Sequence, residues 1–140
     1  MQIREITLTE LHLAHEILQY EKDDISYKEF EDLIYEMKKE NYKILTIIEK
    51  NIPISYTGVK IETSLFYKKH LHVYEFITIK TQNSMQYNKE MLSYLVDYAK
   101  MNMCKNIVFS IDDNNLELGK LIITDEFKKR GSLYIKEIIQ

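Results

Sequence analysis

A chain of 140 residues is long enough for one domain with a real core, and a net charge of −3 gives it no overall basic face, which sets nucleic acid aside as a main partner. The single cysteine, Cys104, excludes an internal disulfide and a cysteine-based zinc site. Apolar runs are too short to cross a bilayer and the stretch Met1 to Thr7 is unlike a signal peptide, so the expectation is a single-domain cytoplasmic protein with no membrane contact.

Ile3 to Ile6 alternates apolar and polar residues and predicts a first strand. Thr7-x-x-Glu10 is a capping box, followed by Leu11, Ala14, Ile17 and Leu18 at helical spacing, and Lys22-Asp23-Asp24 ends that helix. His12 and His15 on it are expected at the surface. Ser26-x-x-Glu29 is a second capping box, with Phe30, Leu33, Ile34 and Met37 on one face of a helix ending near Asn41. Tyr42 to Glu49 is rich in β-branched residues and predicts a buried strand, Lys50 to Pro53 a turn, and Ile54 to Ile61 the returning strand of a hairpin. Phe66 to His70 reads as a loop and Leu71 to Ile79 as the next strand. Ser84 to Met103 predicts an amphipathic helix whose buried stripe is Met91, Leu92, Leu95, Val96, Ala99 and Met103. Asn106 to Ile111 predicts a strand, Asn114 to Ile122 a short helix, and Leu133 to Ile139 a final strand that closes the sheet. The order β-α-α-β-β-β-α-β-α-β mixes a hairpin-linked run with β-α-β crossovers, so the class is α/β or α+β with a mixed sheet.

Several side chains carry possible chemistry. Glu75 is an acid within a strand. His70 and His72 lie two apart, on one face of the same segment. They serve as ligand or base, or simply line a partly exposed sheet edge. Two histidines fall short of the three protein ligands of a catalytic zinc site, so no metal site is expected. Lys128-Lys129-Arg130-Gly131 reads as a solvated basic turn with Gly131 at positive φ, the other reading being contact with an anion such as a phosphate. Tyr42, Tyr56, Phe66, Tyr67, Tyr74 and Tyr87 gather around the strands and the turn, either as core or as a protein-binding or homodimer surface.

The order of elements, with Ile3 to Leu11, Lys69 to Thr78, and Leu92-x-x-Leu95-x-x-Tyr98-Ala99-Lys100 before Cys104 to Ile107, resembles the GNAT superfamily of N-acetyltransferases over nearly the whole chain. The resemblance implies an acetyl-CoA site along Phe76, Ile77 and Thr78 and the turn Asn83, Ser84, Met85, Gln86, Tyr87 and Asn88. That family writes the turn as Gln/Arg-x-x-Gly-x-Gly/Ala, so that backbone N–H groups reach the pyrophosphate. Here Asn83, Gln86 and Asn88 occupy the marked positions. A modified CoA site with weak or absent binding and an ordinary capped helix start are both open. The resemblance makes Glu75 the general base. It places the general acid, a tyrosine in the family, at Ile122, with Glu126 at a family glycine and Phe127 retained; Tyr134, on the expected last strand, is a candidate substitute donor among the chain's eleven tyrosines. The implied reaction is acetyl transfer to an unidentified small-molecule or peptide amine. The alternative is an inactive relative that binds a ligand or a protein partner and regulates it.

Overall fold

The computed structural model describes residues 1–112 and 114–139. Its sheet has six strands: β1 (Gln2–Glu5), β2 (Lys43–Glu49), β3 (Ile52–Pro53), β4 (Ser55–Ser64), β5 (Lys68–Thr78) and β6 (Asn106–Phe109). The order is β1-β2-β4-β5-β6, with β3 paired to β2. The helices are α1 (Leu11–Leu18), α2 (Tyr27–Lys38), α3 (Ser84–Met101) and α4 (Leu116–Thr124), and a 3-10 turn spans Leu8–Glu10. All pairings are antiparallel except β5 with β6, the expected parallel neighbours joined through α3.

Side-chain alternation along the strands divides the core in two. Ile44 faces a cluster with Leu11, Ile17, Phe30 and Ile34 from α1 and α2. Its neighbour Leu45 faces the opposite cluster, with Met91, Leu95, Ala99, Leu118 and Ile122 from α3 and α4. The sheet is thus covered by helices on both faces.

The first capping box forms, and the second forms through its serine only. The Glu10 carboxylate accepts from the Thr7 N–H at 3.0 Å and from Arg4 through two bonds of 2.8 Å. The Glu29 N–H donates to Ser26 Oγ at 3.2 Å. Lys50 and Asn51 sit at φ 51° and 65°, the pair of left-handed residues that a two-residue hairpin turn demands, and so join β2 to β3 directly.

Four expectations are corrected. The segment 133–139 forms no strand: residues 128–139 carry neither helix nor strand, and Leu133, Tyr134, Ile135, Ile138 and Ile139 are all exposed. Its alternation carries β propensity, but propensity without a partner strand buries nothing. β5 begins at Lys68, inside the expected loop, because Lys68 takes the left-handed turn (φ 57°) and starts the ladder opposite Ser64. Met103 is 76% exposed and lies past the end of α3 at φ 57°, which swings it off the buried stripe; Leu33 on α2 is exposed as well. His15 is buried, its Nε2 2.7 Å from the Ile25 carbonyl and its ring packed against Tyr27 and Phe30.

Candidate functional site

Glu75 sits where β5 is irregular. Gly58 pairs with Glu75 and Val59 with Val73, so Tyr74 is an extra residue, a β-bulge. A bulge re-aims the side chains beside it. Here it turns Glu75 toward Tyr42, the residue just before β2. The Tyr42 hydroxyl donates to Glu75 Oε1 at 2.5 Å and lies 2.8 Å from the Tyr56 hydroxyl. Gly58 makes the space: a Cβ there would stand 1.9 Å from Glu75 Oε1 and 2.0 Å from the Tyr42 oxygen. Burial raises the Glu75 carboxyl above its ordinary 4.5, and the Tyr42 bond opposes that rise. Burial, then the neighbouring Tyr56 and Glu75, hold the Tyr42 phenol protonated. The result is a carboxylate moved toward the range of a general base and fixed by a neutral donor.

Beside this network the sheet opens. β5 and β6 pair from His70↔Asn106 to Val73↔Phe109, after which β5 runs on to Thr78 with no β6 residue beside it. The open stretch contains Glu75, Phe76, Ile77 and Thr78. Phe76 and Ile77 are buried, and Thr78 Oγ1 donates to Asn88 Oδ1 at 2.7 Å, tying the strand end to the first turns of α3.

The start of α3 lacks the expected side-chain cap. Asn83 precedes it at φ −99° and its side chain accepts nothing; the Asn83 N–H donates to Thr81 Oγ1 at 3.1 Å instead. The Ser84 N–H reaches the Thr81 carbonyl at 3.2 Å, while the Met85 and Gln86 N–H groups have no partner among the described residues. Unpaired N–H groups at a helix start carry partial positive charge and suit an anion. The long side chains expected to obstruct this turn are engaged elsewhere. Gln86 Nε2 donates to Glu90 one turn along the helix at 3.1 Å, the Tyr87 hydroxyl donates to Glu49 at 3.2 Å, and Asn88 holds Thr78.

The remaining sequence candidates are placed less centrally. Tyr134 is 91% exposed on the segment after α4 and makes no hydrogen bond among the described residues. Ile122 is buried in the α3–α4 cluster, where Phe127 packs against Phe109 with ring centroids 5.9 Å apart. Glu126, at the family's glycine, has φ 69°, so the backbone keeps a glycine-like turn although the residue has changed. Lys128, Arg130 and Gly131 are exposed, and Gly131 has φ 76° as expected. His70 and His72 share a face of β5 near Glu62, a third chemistry-bearing side chain that strand pairing supplies. A cavity of about 470 Å³ between α3 and α4, lined by Lys89, Asp97, Lys100 and Asp125 among others, does not include Glu75 in its walls.

No sequence family and no curated protein matches the chain. Solved structures do. Ribosomal-protein-alanine N-acetyltransferase from Brucella melitensis superposes with a TM-score of 0.81 at 11% identity, over 99% of this chain and 100% of that one. Glucosamine-6-phosphate N-acetyltransferase from Arabidopsis thaliana gives 0.70 at 16%, over 99% and 98%. A transcriptional regulator from Bacillus halodurans gives 0.76 at 15%, over 98% and 99%. The chain has the GNAT fold. Likeness at these identities concerns the backbone, so in this GNAT-fold chain the chemistry rests on its own residues: Glu75, the open edge of β5 and the uncapped start of α3.

Proposed function

We propose that the chain binds acetyl-CoA between β5 and β6 and transfers its acetyl group to an amine. One observation carries this reading: β5 runs past the end of β6 beside a helix start with unpaired N–H groups. The N–H groups of Met85 and Gln86 suit the pyrophosphate, and the unpaired β5 edge from Glu75 to Thr78 suits the amide-bearing arm of the cofactor. The amine nitrogen attacks the thioester carbonyl carbon, the carbon–sulfur bond breaks, and the CoA thiolate leaves. Glu75 takes one proton from the substrate ammonium, directly or through a water, which frees the amine to attack; the second proton, shed by the nitrogen as the amide forms, goes to the departing thiolate through solvent. Support for a base here comes from burial, which raises its carboxyl, and from Tyr42, which fixes its direction.

A second reading is favoured by a specific observation. The acid position is Ile122, buried and apolar, and Tyr134 is on an exposed segment, so the first has no proton to give and the second stands outside every helix and strand. In this reading the chain binds a ligand or a protein without turnover, and the neighbour named a transcriptional regulator lends the fold-level precedent.

Calorimetric titration of the purified protein with acetyl-CoA and with CoA tests the first reading. A micromolar dissociation constant, about 8 kcal/mol, is the expected result. Saturation with neither ligand at millimolar concentration favours the second. In an active preparation Glu75→Gln is expected to lower turnover by ~10²–10⁴-fold with CoA affinity nearly unchanged. Full turnover in that variant removes Glu75 as the base.

A further inference from the structure

We propose that Glu62, His70 and His72 form a binding site for a divalent transition-metal ion of the zinc type, built on the β4–β5 hairpin. The strand register makes the cluster. Glu62 pairs with His70 and Lys60 with His72, so Glu62 stands opposite one histidine and diagonal to the other. One ligand atom from each of the three lies within 4.8 Å of the others.

The details fit a metal better than a surface ion pair. His72 Nδ1 is 3.3 Å from Glu62 Oε1. That matches the ligand–ligand edge, about 3.3 Å, of a tetrahedron with zinc bonds of ~2.0–2.1 Å. Each imidazole has its other nitrogen engaged, as metal-bound histidines do. His70 Nδ1 is 2.9 Å from the Lys68 carbonyl, and His72 Nε2 is 2.9 Å from Ser110 Oγ. This leaves Nε2 of His70 and Nδ1 of His72 as ligands. His70 is only 3% exposed, and its Nε2 has no hydrogen-bond partner among the described residues. The carboxylate is held too, by the Tyr74 hydroxyl at 2.5 Å, and the Tyr74 ring stacks on His72 at 3.9 Å and 6°.

Two neutral nitrogens and one carboxylate suit zinc, nickel, copper or iron, and not the all-oxygen shells of calcium or magnesium. Three protein ligands leave a fourth position for water, on the side where Glu62 and His72 meet solvent. Lys60 is the competing cation, 3.9 Å from Glu62 Oε2. It also reaches Glu40 Oε2 at 3.3 Å, a second carboxylate that can keep it when a metal takes the first.

The test uses the full chain after treatment with a chelator. Calorimetry with Zn2+ is expected to give one ion per chain, and Co2+ is expected to give the intense visible bands of a tetrahedral site. Glu62→Gln and His72→Gln, both at partly buried positions, should each weaken Zn2+ binding by more than ~10-fold, and Tyr74→Phe by about 10-fold. Imidazole resonances of the unmutated chain give a readout that does not depend on a variant folding. Zinc should shift those of His70 and His72 and leave His12 and His15 in place. Absence of stoichiometric Zn2+ binding overturns the site. So does unchanged affinity in both Glu62→Gln and His72→Gln, or a zinc-induced shift confined to His12 and His15.

Discussion

At the scale of single residues, Gly58 and Glu75 form one unit. Gly58 is in the interior of a central strand, where glycine costs stability relative to alanine. It is kept there by the 1.9 Å approach of Glu75 Oε1 to its missing Cβ. Gly58→Ala should therefore destabilise the fold by ~1–3 kcal/mol, the usual result of overpacking, and displace the Tyr42–Glu75 bond; denaturant melts at neutral pH measure it. Glu75 also predicts a pH dependence. Its folded carboxyl binds protons more tightly than an unfolded one at 4.5, so the folded state holds the extra proton between the two values. Stability from this group is fully present below the unfolded value and declines as pH rises through the folded value. Glu75→Gln should remove that decline. Melts of both proteins across about pH 4 to 8 should diverge as pH rises, with the variant gaining, whereas parallel curves contradict the buried carboxyl.

At the scale of elements, three helices end in the same way. The N–H of Tyr42 bonds the Met37 carbonyl, that of Cys104 the Ala99 carbonyl and that of Phe127 the Ile122 carbonyl, each a six-residue closure. The residue before each is left-handed: Asn41 at 67°, Met103 at 57° and Glu126 at 69°. Glycine is the usual occupant, and asparagine is the next best. Methionine and glutamate sit there at a cost of ~1–2 kcal/mol. Met103→Gly and Glu126→Gly should each raise the melting temperature, with a combined gain near the sum because the two turns end different helices. Ile122→Tyr should do the opposite. The larger ring must enter a packed cluster, and a loss of ~1–3 kcal/mol is expected before any acid catalysis can be assayed.

At the scale of the whole molecule, what the sequence disclosed was what is local. Stripes such as Leu11, Ala14, Ile17 and Leu18 repeat at spacings a helix imposes and formed as read, and of the two capping boxes the Thr7–Glu10 one formed while the second is present through Ser26 alone. The parallel β5–α3–β6 unit was legible for the same reason: a long amphipathic helix between two apolar runs allows few alternatives. What stayed hidden depends on register. Glu62 is ten residues from His72 along the chain and meets it only through the hairpin ladder, so the histidines looked short of a third ligand. Gly58 carries no turn signal, since its role is close approach. His15 looked like a surface residue because the rings that cover it belong to α2. The last strand failed for a related reason, because alternation says that a segment can pair but does not say with what.

The exposed segment after α4 has a practical consequence for handling the protein. Lys128, Arg130 and Lys136 lie on backbone outside every helix and strand, the state in which a protease can draw a chain into its cleft. Brief trypsin treatment should clip here first and leave a fragment from β1 through α4 with its melting behaviour little changed, since none of the described residues trimmed is buried. The clipped fragment should also be the more tractable one in concentrated solution. It has shed Leu133, Ile135 and Ile139, whose alternation on an unpaired segment is a template for intermolecular β-pairing, while the free edge of β6 that such a segment would seek is only four residues long.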